Sequence, residues 1–97
     1  MDLGQVIAVR QLNGPNGESI TVSIGMPMEF EDKTGWYCPY LIAWAGAERV
    51  RYAGGVDAVQ ALQLVMVTIG ARLLSLGRQL GGEITWDGSK DLGFPSP

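Results

Sequence analysis

The chain has 97 residues, 46% of them hydrophobic and 18% charged, and a formal net charge of −3. That is one domain's worth of chain with enough apolar material for a core, which argues against extensive disorder. Arg49 and Arg51 are the only close basic pair, so no stripe of cations is available to replace phosphate counterions, and nucleic acid is not an expected partner.

In chain order, Val6 to Leu12 is β-branched and apolar enough to begin a sheet. Asn13-Gly14-Pro15-Asn16-Gly17 then gives the strongest turn signal, because Asn and Gly tolerate positive φ. The second strand alternates: Ile20, Val22 and Ile24 on one face, Ser19, Thr21 and Ser23 on the other, the period of a sheet with one buried face. The same phase runs on through Met26, Met28 and Phe30, with Gly25 and Pro27 expected to bend or interrupt it.

A turn at residues 31–35 leads into a third strand, Trp36 to Trp44, which differs in kind. Trp36, Cys38, Tyr40, Ile42 and Trp44 share one face; Tyr37, Pro39, Leu41 and Ala43 share the other. Neither face is polar, so both are expected to be covered. Pro39 cannot donate to a ladder, which calls for a bulge near it or an edge position for that half of the strand. After a turn at Ala45-Gly46-Ala47, the fourth strand, Glu48 to Ala53, is expected to point Val50 and Tyr52 inward and Arg49 and Arg51 outward, with Gly54-Gly55 ending the sheet.

Asp57 followed by Gln60 has the pattern of a capping box. The helix it opens is expected over about residues 57–80, with Val59, Leu62, Met66, Ile69, Leu73, Leu76 and Leu80 as its apolar stripe. Leu64, Val65, Val67 and Leu74 fall outside that stripe, so the middle of the helix is apolar nearly all round. The densest apolar run, residues 64–69, is far shorter than the roughly 20 residues a bilayer requires, and no membrane association is expected. Gly81-Gly82 ends the helix, residues 83–86 have the makings of a short strand, and Leu92 and Phe94 are placed to dock a tail on the body.

Chemistry-bearing motifs are sparse. Cys38 is the one thiol, so no internal disulfide forms and a reducing, cytoplasmic setting is expected; residues 1–10 contain no secretory signal. The chain has no histidine to activate Cys38, and the favoured reading of that thiol is structural. Trp36, Tyr40, Trp44 and Tyr52 together with Cys38 form the alternative, a pocket for a small ligand or an enzyme site, against the commoner role of strand aromatics in cores and interfaces. Glu29, Glu31 and Asp32 read as a solvated turn, and Asp87, Ser89 and Asp91 lack the glycine and glutamate a calcium loop requires, so no metal, cofactor or catalytic residue is assigned.

The segments Gly35-Trp36-Tyr37-Cys38-Pro39-Tyr40, Val50 to Leu62 (VRYAGGVDAVQAL) and Asp91-Leu92-Gly93-Phe94-Pro95 together resemble a family of small bacterial proteins of unknown function, over roughly residues 35–95. The resemblance implies a bacterial, cytoplasmic, stand-alone domain and carries no catalytic residue with it.

The sequence thus predicts a single α+β domain: a four-stranded antiparallel β-meander over about residues 5–53, one long helix packed on one face, and a C-terminal strand or tail over 81–97. Its expected role is a non-enzymatic protein-interaction module acting as a homodimer, with Leu64, Val65 and Val67 on the helix and Tyr37 and Leu41 on the sheet as contact residues.

Overall fold

A computed structural model describes residues 2–45 and 49–96, so Gly46, Ala47 and Glu48, the expected turn and the start of the fourth strand, lie outside the described residues. The elements are β1 (Val6–Asn13), β2 (Ser19–Gly25), β3 (Met28–Glu29), β4 (Trp36–Trp44), β5 (Val50–Gly55) and α1 (Ala58–Gln79). The sheet is antiparallel throughout, and β4 is its spine: β2 and β3 pair in succession along one of its edges and β5 pairs along the other. This is the expected α+β meander with one helix on one face, β2 and β3 being two pieces of a single interrupted strand.

The interruption resolves the proline problem. β2 pairs with β4 from Trp44 to Tyr40, and β3 resumes at Tyr37, so Cys38 and Pro39 have no ladder partner on that edge. The register also slips by one residue there: Ile24 faces Tyr40, whereas Met28 faces Tyr37. A one-residue slip turns every following side chain to the other face. The expected continuation of the Ile20–Ile24 phase through Met28 and Phe30 is therefore corrected. Met28 shares a face with Tyr37, and Phe30 packs its ring on Tyr37 at 4.9 Å.

Register also corrects the fourth strand. Arg51 lies directly opposite Tyr40, and Tyr52 opposite Pro39, so Arg51 is on the helix side while Val50 and Tyr52 face away from it. Gly54 and Gly55 do not break the sheet; they extend β5 opposite Tyr37 and Trp36. Gly55 is needed where it stands, because a Cβ there would lie 2.5 Å from the backbone nitrogen of Ala61. That contact sets how closely α1 crosses β5, and it dictates which helix face turns inward.

The inward face is Ala61, Val65, Ile69, Leu73 and Leu76. The expected stripe holds over most of its length, with Ile69, Leu73 and Leu76 buried and Leu62, Met66 and Leu80 packed against the core; its start departs, Val59 being 65% exposed whereas Ala61 and Val65 are fully buried. A helix apolar on nearly all sides gives periodicity no clear winner, and the small Ala61 opposite Gly55 decides. At the N-terminus Asp57 accepts a hydrogen bond from the Gln60 backbone N–H at 2.8 Å, and the Gln60 side-chain oxygen accepts from the Val56 N–H at 2.8 Å. The C-terminus closes with Gly81 at φ +87°, and the Gly82 N–H donates to the Gly77 carbonyl at 2.9 Å, a Schellman-type ending. By length and composition alone α1 is long and apolar enough to cross a bilayer, more so than its short apolar centre suggested; here its inward stripe is core.

α1 lies over β4 and β5. The rest of the same sheet face is covered by the tail. Ile84 is buried, Thr85 exchanges two backbone hydrogen bonds with Asn13, and Trp86, Leu92 and Phe94 pack against the core. Arg10 clamps this arrangement. Its guanidinium sits 3.8 Å from the Trp86 ring centroid and 5.1 Å from that of Phe94, and it donates to the Leu92 carbonyl at 2.9 Å. The expected tail is thus a docked layer with a single bridge to β1.

Candidate functional site

The two faces of the sheet differ in where their charges fall. Register places Ala8, Arg10, Leu12, Ile20, Val22, Ile24, Trp36, Cys38, Tyr40, Ile42, Trp44, Arg51 and Ala53 on the covered side. The opposite side carries Val9-Ser23-Leu41-Val50 as one row, Gln11-Thr21-Ala43 as the next, and Met28, Tyr37, Pro39, Tyr52 and Gly54 beyond. Among the paired strand positions every charged residue, Arg10, Glu29 and Arg51, belongs to the covered side, and the open side has none. Along β2 the ordinary sense of a half-buried sheet holds, Ile20, Val22 and Ile24 inward and Ser19, Thr21 and Ser23 outward, but Val9, Leu41, Val50 and the rings beyond them give the open face more apolar surface than a face that meets only water ordinarily carries.

The open face has an aromatic centre. Phe30, Tyr37 and Tyr52 form a three-ring cluster, with Tyr52 at 6.0 Å from each of the other two in edge-on geometry. Tyr52 is 49% exposed and Met28 44%, while Tyr37, Leu41 and Val50 are half-buried. No second layer of described residues lies over this cluster. Nearby, the N-terminal segment crosses the face where a Cβ on Gly25 would meet the Leu3 carbonyl and Pro39 Cγ, so Pro39 is buried.

Of the expected contact residues, Tyr37 and Leu41 therefore lie on the open face. Leu64 is on the outer surface of α1, on the other side of the molecule, and Val67 is half-buried in a groove beside the helix. Val65 offers nothing to a partner, because it is fully enclosed against the sheet. These residues do not compose one surface.

The residues of the alternative site are separated as well. Cys38, Tyr40, Trp36 and Trp44 are on the covered face, Tyr52 on the open one. Cys38 is fully buried, its thiol donates to the Gly25 carbonyl at 3.3 Å, and burial pushes its pKa up to about 11. A thiol so disfavoured as thiolate is a poor nucleophile near neutral pH. Among the described residues no group of His, Cys, Asp or Glu is arranged to hold a metal ion.

A groove that the sequence did not reveal runs between α1 and the β4–β5 side of the sheet. It is open to solvent, offers a volume of about 690 Å³, and is lined by Tyr40, Ile42 and Trp44 from β4, Arg49 and Arg51 from the β5 region, and Arg72 with Thr68, Ser75 and Gln79 from α1. Arg49 and Arg51 were visible as a pair in the sequence, but Arg72 is a helix away, and only the crossing of α1 over β5 brings the three together. A second groove of about 610 Å³ lies between the C-terminal half of α1 and the tail.

In comparison with known proteins, the family model described as a domain of unknown function (DUF6968) matches residues 8–96. No curated protein and no solved structure matches the chain.

Proposed function

We propose that this chain, which belongs to the DUF6968 family, is a non-enzymatic interaction module that forms a homodimer by stacking the open faces of two sheets. The observation that carries the reading is the absence of charge from the open side at the paired strand positions, with the Phe30–Tyr37–Tyr52 cluster at its centre. Two copies that each carry a net charge of −3 repel overall, yet they meet here without placing like charges in contact. Stacked sheets sit about 10 Å apart, a distance their side chains fill by interdigitating.

Four strands at about 4.8 Å spacing and strands of some 25 Å give a face of roughly 19 × 25 Å, or about 480 Å² in projection. Standard interfaces hide about 800 Å² of accessible surface per partner. The corrugated face falls at the small end of that class, which fits a reversible dimer. Tyrosines suit such a surface, since the ring buries area in the dimer and the hydroxyl keeps the free chain hydrated.

The outer face of α1, with Leu64 and Leu74, is the weaker choice. It faces away from the open sheet, so a dimer that uses one of the two faces leaves the other exposed, and using both at once builds assemblies larger than a dimer. The proposal includes a reducing, cytoplasmic setting, supported by the lone thiol Cys38 and by a core that holds together without cross-links. Light scattering during size exclusion across a concentration series is the test. The mass should rise toward twice that of the chain; a constant monomer mass to high concentration removes the proposal.

A further inference from the structure

We infer that the groove between α1 and β4–β5 binds a small organic phosphate, with the phosphoryl group held by the Arg49, Arg51 and Arg72 guanidiniums and the organic part laid along Trp44.

Charge is the first argument. The chain is acidic overall, with seven basic residues against ten acidic ones, yet three of those seven line one groove. No described carboxylate lines it, and the ion pairs among the described residues, Lys33–Glu29 and Lys90–Glu83, lie elsewhere. Guanidiniums that line one groove repel one another, and an anion that enters between them relieves that repulsion. Among the described residues, no carboxylate forms with Arg51 or Arg72 the loose pair that is the ordinary fate of a surface arginine.

Donor geometry is the second. Arg51 emerges from the sheet directly opposite Tyr40, and Arg72 comes from the helix wall. The two walls therefore present donors from two directions. One guanidinium fork satisfies the two oxygens of a carboxylate, whereas a phosphoryl group has three terminal oxygens and a second charge to satisfy. Three arginines from two walls suit the larger anion. On α1, Thr68, Ser75 and Gln79 share the groove side with Arg72 at helical spacing and add neutral donors along the same wall.

The floor is the third. Tyr40, Ile42 and Trp44 line the bottom, and Trp44 is half-buried, so one part of its surface is still available. An apolar, partly aromatic floor beneath a cationic rim matches a ligand with a planar or apolar body and one phosphorylated end. The volume of about 690 Å³ is within the range of pockets for ligands of that size.

Isothermal titration of the full chain with inorganic phosphate, adenosine monophosphate and adenosine tests this. Adenosine monophosphate should bind at one site per chain and about tenfold more tightly than either inorganic phosphate or adenosine, each of which supplies half of the recognition. Arg51→Ala and Arg72→Ala should each weaken it about tenfold. Arg78→Ala, on the other groove, should leave it unchanged, and Trp44→Leu should abolish the preference over inorganic phosphate while sparing phosphate itself. Binding should persist in a Tyr37→Ser/Tyr52→Ser double variant, which separates this site from self-association. Absence of saturable binding up to about 10 mM overturns the inference. So does equal loss in Arg78→Ala, or adenosine binding as tightly as the monophosphate.

Discussion

The two faces of β4 answer the same sequence signal in opposite ways. Both are apolar, yet α1 and the tail cover one, burying Cys38 and Tyr40 and leaving Trp36, Ile42 and Trp44 half-buried at its margins, while the other keeps Tyr37 and Leu41 half-buried at a surface with no described layer over its aromatic cluster. Composition alone does not separate them. What separates them is which side carries the small contacts that let a helix come close, Gly55 against Ala61, and which side carries rings that have packed only on each other. Apolar character states that a surface seeks cover, and the backbone's closest approach decides whether the same chain supplies it.

That contrast is open to attack from the covered side first, where effects are largest. Ile69→Ala removes a fully buried side chain beneath the sheet and is expected to cost about 2–5 kcal/mol by chemical denaturation. Tyr52→Ser on the open face should cost less than about 1 kcal/mol in the monomer, because the ring is half exposed. Comparable losses at both positions would erase the distinction between the faces.

The thiol supplies a pH handle on the covered face. The unfolded Cys38 thiol ionises near its ordinary value of 9.0 and the folded one near 11, so between those values the unfolded chain binds fewer protons. Stability is then full below pH 9 and falls as pH rises toward 11, by about 2–3 kcal/mol from this group. Denaturation at pH 8 and pH 10.5 should show that extra loss in the native chain and not in Cys38→Ala. Equal slopes in the two would place the thiol in contact with water.

Gly55→Ala sharpens the question of what seats the helix. The added methyl meets the Ala61 backbone, which has no rotamer to move, and a loss of about 1–3 kcal/mol is expected in thermal unfolding. An unchanged midpoint would mean that α1 is not seated on β5 at this contact. The smallest effect is at the helix start: Asp57→Ala removes the cap to the Gln60 N–H and should cost about 1 kcal/mol, with Asp57→Asn recovering most of it.

Much of the fold was legible because its signals were local. The alternation of Ile20, Val22 and Ile24, the Asn-Gly turns, the Asp57–Gln60 cap and the docking of Leu92 and Phe94 all follow from neighbours within a few residues. The errors came where phase depends on a partner strand. The slip at Gly25–Pro27 turned Met28 and Phe30 over, and pairing with Tyr40 turned Arg51 toward the helix, although the sequence from Val50 to Tyr52 reads equally well either way. In the helix stripe only the start departs, with Val59 outward and Ala61 and Val65 inward, because so many positions are apolar that periodicity loses its contrast there. The arginine groove was hidden for a related reason: Arg49 and Arg51 are separated from Arg72 by twenty residues of chain, and only tertiary packing makes them neighbours.

Sedimentation velocity over a concentration series, run on the native chain beside two double variants, tests the open-face claim most directly. Tyr37→Ser/Tyr52→Ser should sediment as a monomer at concentrations where the native chain and Leu64→Ser/Leu74→Ser both sediment as dimers. A dimer that survives loss of the two tyrosines, or one lost only with the two leucines, contradicts the account.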